Sequence, residues 1–145
     1  MDSAGATVEH GSRSRDTWRA IGHERIEAVV EDFYDAVQLH PTLSEPFLMV
    51  GDWATHKARL THFWWVALGG APYRPDTYDV AGKHLGVGVT EDLVDDWLAL
   101  FHDTLRQHLP DPLAQAWFER ARHMARSVRQ LTAFQDRKRS RQQRG

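Results

Sequence analysis

Cysteine is absent from the 145-residue chain, which excludes disulfides, thiolate nucleophiles and cysteine-based metal sites. Long hydrophobic runs are absent as well. The longest mostly apolar stretch, Phe63 to Tyr73, contains two glycines and falls well short of the roughly 20 residues a membrane-spanning helix needs. The polar N-terminus has no apolar centre of the kind a signal peptide carries, so the expectation is a soluble, cytoplasmic protein. Strand-like alternation and internal repeats are missing. Gly86 and Gly88 join no strand to a helix, so there is no phosphate-binding loop. A di-iron carboxylate bundle needs paired Glu-x-x-His motifs on inward faces, and none occurs. Ser44 and Thr61 near His62 do not make a nucleophile, base and orienting group, so a hydrolase is not supported.

What the chain has is bulk and aromaticity. Its length fits one domain with a substantial core. Six tryptophans, six phenylalanines and three tyrosines suit a cavity for a flat, apolar cofactor, and equally suit plain core packing. The net charge of −2 is uneven. Residues 135–145 carry Arg137, Lys138, Arg139, Arg141 and Arg144 against Asp136, which leaves the rest with a surplus of six acids. This basic tail has the charge to touch nucleic acid or an anionic partner, yet lacks aromatic residues and reads more simply as a solvated helix end. The expected organisation is a disordered lead-in over 1–15, a folded domain over 16–134 and the tail over 135–145.

The middle of the chain predicts helix after helix. Trp18 and Ile21 close a short first helix, and Gly22 separates it from a second with Ile26, Val29, Val30, Phe33 and Val37 on one face. His40-Pro41 stops it, and Pro41 and Pro46 confine the next residues to a turn or one short helical segment. A third helix is predicted from about Asp52 to Leu68, with Trp53, His56, Leu60, Phe63 and Trp64 on one face. Gly69-Gly70, Pro72 and Pro75 end it. Residues 71–89 read as loop with room for one short helix. Thr90, followed by Glu91 and Asp92, fits an N-cap with acids in the first turn. The helix it opens places Leu93, Trp97, Leu100, Phe101 and Leu105 inward. After Pro110 and Pro112 a last helix carries Leu113, Trp117, Met124, Val128 and Leu131, with Phe134 at the end of the same stripe.

One histidine stands out on this map. His84 sits in the loop-rich segment facing aromatic helices, where an imidazole is a candidate axial ligand for haem iron. One histidine among nine is otherwise a surface or structural residue. The order Phe33-Tyr34, Phe47, Trp53-x-x-His56, Phe63-Trp64, Tyr73, His84-Leu85-x-Val87-x-Val89 and Trp97-Leu98-x-Leu100-Phe101 resembles that of the truncated haemoglobins, most closely their third group. The resemblance covers roughly residues 18–130, and its most specific part is the block from His84 to Thr104.

The resemblance implies an all-α, globin-like sandwich of two helices over two, holding haem. Because cysteine is absent, the haem would be non-covalent haem b. By the same resemblance His84 is the proximal metal ligand, and Tyr34, His56 and Trp97 are the distal residues. Phe47, Leu60, Phe63, Trp64, Tyr73 and Val89 are cofactor contacts. Arg59, Arg74 and Lys83 are candidates for the haem propionates, and equally for solvated charges. Tyr34 O–H, Trp97 N–H and a suitably protonated His56 are donors that would stabilise a polar diatomic ligand, each by about 1 kcal/mol net. Read without the family, Tyr34 and Trp97 are also explained by core packing. The ligands implied are dioxygen, nitric oxide or carbon monoxide, and the activities are nitric oxide dioxygenation or peroxide turnover with a separate electron-donor reductase. The alternative is a haem-free globin-fold sensor or interaction module. This chain departs from the family pattern between Tyr73 and His84, where the segment is longer than usual and Pro75-Asp76 replaces an expected glycine. Gly69-Gly70-x-Pro72 is similar to the second group.

Overall fold

The computed structural model describes residues 16–75 and 89–144. The expected N-terminal lead-in, the short helix before His84, and Lys83 and His84 themselves lie outside the described residues. The elements are α1 (Thr17–Ile21), α2 (His23–Leu39), a 3₁₀ turn (Glu45–Phe47), α3 (Trp53–Ala67), α4 (Glu91–His108) and α5 (Asp111–Arg144). Among the described residues there is no strand.

Local chemistry sets the boundaries. Gly22 divides α1 from α2 at φ 89°, a region that glycine enters without a Cβ penalty. Its N–H donates to Trp18 O at 2.8 Å. At the far end of α2, His40 Nδ1 accepts from the backbone N–H groups of Thr42 and Leu43, both at 3.2 Å, and so turns the chain away from the helix. Asp52 caps α3, accepting from Thr55 N at 3.1 Å and from Thr55 Oγ1 at 2.6 Å. These bonds, the Thr55 hydroxyl first, hold its carboxyl below the ordinary carboxylate value. Thr90 caps α4 through Oγ1 and Leu93 N at 3.3 Å.

The helices pair as two over two: α2 lies along α3, α4 along α5, and the pairs meet where α2 packs on α4. Each of the four long helices sends an aromatic ring into one core. Phe33 of α2 is fully buried and meets Phe101 of α4 edge-on at 5.0 Å. Phe101 stacks on Trp64 of α3 at 5.5 Å, and Trp117 of α5 stands edge-on to both. Fully burying a side chain of this size contributes roughly 1.5–3 kcal/mol. The small residues Ala114, Ala121 and Ala125 of α5, all buried, flank Trp117 at helical spacing and let the neighbouring helix approach.

A charged staple joins α2 to α3. Lys57 is only 9% exposed, and its Nζ donates to Glu31 Oε1 at 3.0 Å and Asp35 Oδ1 at 2.7 Å, one turn apart on α2. Burial alone would lower the ammonium's pKa. The hydrogen bonds and charges of the two carboxylates outweigh it, and the pKa is raised. In the last helix the apolar stripe runs past the core. Val128 is buried, whereas Leu131 and Phe134 are 36% and 50% exposed, contrary to the inward placement expected of them. The helix outruns the elements it packs against, and Val128 is the last of its residues in the clustered core. The basic tail continues α5 to Arg144 without a break.

Candidate functional site

The two helix pairs leave a cavity of about 290 Å³ between them, close to the lower end for small-molecule sites. Its lining comes from each of the long helices and from the segment between α2 and α3. α2 contributes Tyr34, and α3 contributes His56, Arg59, Leu60, Phe63 and Trp64, which recur at three- and four-residue spacing and so share a face. α4 contributes Leu93, Val94 and Trp97, and Val89 adds to the wall just before the Thr90 cap. The segment joining α2 to α3 supplies Leu43, Phe47 and Met49 among others, and α5 supplies Ala121, Met124, Ala125 and Val128. Among the described residues, polar side chains therefore enter only from α2, α3 and α4. The α2–α3 segment and α5 present apolar surface alone.

Tyr34 is 4% exposed and Trp97 half-buried. Both rings stand edge-on to Phe33, at 4.8 and 5.2 Å, so one core phenylalanine orients two of the expected donors. Trp97 also stacks on Phe101 at 4.8 Å. His56 meets Tyr34 edge-on at 6.0 Å and Phe47 at 6.2 Å. A polar link holds this wall together from outside: Thr42 Oγ1 donates to Asp96 Oδ2 at 2.6 Å, tying the α2–α3 segment to the residue beside Trp97.

Of the residues singled out in the sequence, the cavity gathers Tyr34, Phe47, His56, Leu60, Phe63, Trp64, Val89 and Trp97. Tyr73, expected at the cofactor, stands instead among His62, Trp65 and His23. Its ring lies 4.5 Å from that of His62, and its hydroxyl shares a 2.7 Å hydrogen bond with His23 Nε2. Burial raises the Tyr73 pKa, and Arg74 opposes that shift. The reason for this placement is His62, which is buried and whose Nε2 accepts from Tyr73 N at 3.1 Å and Arg74 N at 3.3 Å. His62 therefore serves the backbone. The α5 residues and Met49 were missed as site residues, although Met124 and Val128 already stood on the helical stripe.

The lining fits a flat, largely apolar macrocycle: aromatic and aliphatic walls, a few side chains able to hydrogen-bond, and a cation, Arg59. Among the described residues no group of three or more His, Asp or Glu side chains forms a cage for a bare metal ion. A porphyrin brings its own equatorial nitrogens and needs only an axial ligand from the protein.

An all-α sandwich of two helix pairs around such a cavity is a globin. The bacterial-like globin family matches residues 17–130, and the chain belongs to that family. None of the curated proteins matches the chain. Membership implies haem as the cofactor and a diatomic gas as the ligand.

Proposed function

We propose that the protein holds non-covalent haem b with His84 as the axial ligand and admits dioxygen, nitric oxide or carbon monoxide beside Tyr34, His56 and Trp97. The observation that carries this reading is the cavity itself, where, among the described residues, the hydrogen-bonding side chains come from α2, α3 and α4 and the others in the lining are apolar. When bound, haem supplies the iron at which a diatomic ligand binds and exchanges electrons. The apolar walls exclude water, which strengthens every hydrogen bond made inside. Tyr34 donates its O–H and Trp97 its N–H to a ligand that gains negative charge, and His56 donates when its ring nitrogen carries a proton. Phe47, Leu60, Phe63, Trp64 and Val89 confine the macrocycle by contact. Arg59 offers a cation for a propionate.

Two concerted donors slow ligand release, roughly tenfold for each 1.4 kcal/mol gained. Slow release suits turnover of a held ligand better than carriage. The reaction we favour joins dioxygen with nitric oxide to give nitrate, with the electron returned by a separate reductase. Placement in the third group of truncated haemoglobins rests on the block from His84 to Thr104, within which Val89, Leu93, Val94 and Trp97 line the cavity.

The test is the optical spectrum of the purified protein, reduced and then exposed to carbon monoxide, for wild type beside His84→Ala. A sharp haem band that shifts with carbon monoxide, and is lost or badly altered in the variant, is the expected result. No haem band after reconstitution would leave a haem-free helical module whose basic α5 extension is its contact surface. Rapid mixing of the reduced, air-equilibrated protein with nitric oxide should then yield nitrate, and its absence would remove the dioxygenase reading.

A further inference from the structure

Four rings close on one another at the α2–α3 side of the cavity. Tyr34, Phe47, Trp53 and His56 are all mutual neighbours: the six centroid separations run from 5.4 Å for Trp53–His56 to 6.2 Å for Phe47–His56. Three of them line the cavity, and Trp53 does not. It is half-buried behind His56, with its indole nearly perpendicular to the imidazole at 86°.

This placement follows from the start of α3. Asp52 accepts from Thr55 N and Thr55 Oγ1, which fixes the first turn and makes Trp53 its first residue. His56 then falls three residues on, where side chains share a face. An edge-to-face pair of this kind favours one ring orientation over others. Trp53 does not line the cavity, so any effect it has there passes through the rings it contacts, of which His56 is the nearest at 5.4 Å, ahead of Phe47 at 5.9 Å and Tyr34 at 6.1 Å.

We propose that Trp53 is a positioning residue that holds the His56 imidazole over the cavity and so limits how fast a diatomic ligand enters. This rests on the reading of His56 as a residue at the ligand. Removing the indole frees the imidazole to swing outward, while Tyr34 stays held by Phe33 at 4.8 Å and by Phe47 at 5.8 Å. The contact contributes about fivefold to the closed arrangement, the factor that corresponds to about 1 kcal/mol for an aromatic pair.

The experiment is carbon monoxide association after flash photolysis in the haem-loaded wild type, Trp53→Ala, Trp53→Phe, His56→Ala and the His56→Ala/Trp53→Ala double variant. The expected result is association about fivefold faster in Trp53→Ala and near the wild-type rate in Trp53→Phe. In the His56→Ala background, Trp53→Ala should add nothing. In the haem-free protein, the His56 ring protons should lose their indole ring-current shift in Trp53→Ala and retain most of it in Trp53→Phe. Unchanged association in Trp53→Ala overturns the proposal, as does an equal acceleration with and without His56, which would mean a path past Trp53 itself. A wild-type rate in His56→Ala removes the reading on which the proposal rests. The haem-free ring shift then still reports whether Trp53 holds the imidazole, which separates the two failures.

Discussion

Tyr34 differs from a phenylalanine by one hydroxyl, and its ring is already fixed by Phe33, Phe47 and Trp53. Tyr34→Phe therefore tests the donor without disturbing the wall. We expect dioxygen to leave the variant about tenfold faster, a loss of about 1.4 kcal/mol, read by stopped-flow displacement with carbon monoxide. An unchanged rate would place the hydroxyl out of the ligand's reach. Gly70 carries a different constraint at the same scale. A Cβ there would sit 2.5 Å from Trp65 Cε2 and Nε1, while that indole donates to Ala71 O at 2.8 Å and the Trp65 carbonyl accepts from Gly70 N at 2.8 Å. The ring is held by the same turn that would push it, so it cannot yield without breaking a bond. Gly70→Ala should cost roughly 1–3 kcal/mol in urea unfolding. A variant as stable as wild type would show that the Trp65 ring moves aside freely.

Among the elements, α2 and α3 are joined by Lys57 across to Glu31 and Asp35. Both carboxylates are more than half exposed, so solvent screens the attraction and Lys57→Met should destabilise by only about 1 kcal/mol. The pH dependence has a definite sign. A lysine whose pKa is raised on folding stabilises below its unfolded value, and that contribution is lost as pH rises through the folded one. The stability gap between wild type and Lys57→Met should therefore narrow in strongly alkaline solution, and a gap that widens there would refute the staple. These helices also show where sequence reasoning reached and stopped. The apolar faces, the Thr90 cap and the Gly22 break follow from local rules, because periodicity, capping and φ > 0 are properties of a few neighbouring residues. The grouping of Tyr34, His56 and Trp97 came from a resemblance and not from spacing, since three helices supply them. Tyr73 stands outside the described lining because its position depends on His62 accepting two backbone N–H groups, a tertiary bond that no periodicity reports. The α5 wall was missed as a site because Ala121 and Ala125 look like packing spacers until the facing helices are in place.

For the molecule as a whole, the question is whether the basic end of α5 belongs to the globin or merely extends from it. Its helix is continuous through Arg144, yet the core it serves ends at Val128, and among the described residues none that lines the cavity between the helix pairs lies beyond that point. Arg129 still reaches back to Asp95 of α4. Past it, Leu131 and Phe134 are exposed, as are Arg137, Lys138 and Arg141. Deleting residues 135–145 removes five bases and one acid, so the net charge becomes more negative, and the described basic side chains removed, Arg137, Lys138 and Arg141, are exposed. Surface changes of that kind usually move stability by within about 0.5 kcal/mol. We expect the shortened protein to retain the haem content, carbon monoxide spectrum and thermal midpoint of the full chain. Its affinity for polyanions such as heparin, by contrast, should fall and lose its salt dependence, because that term scales with the number of cations released from the contact. A loss of haem on truncation would mean that the tail supports the cavity through residues other than those that line it.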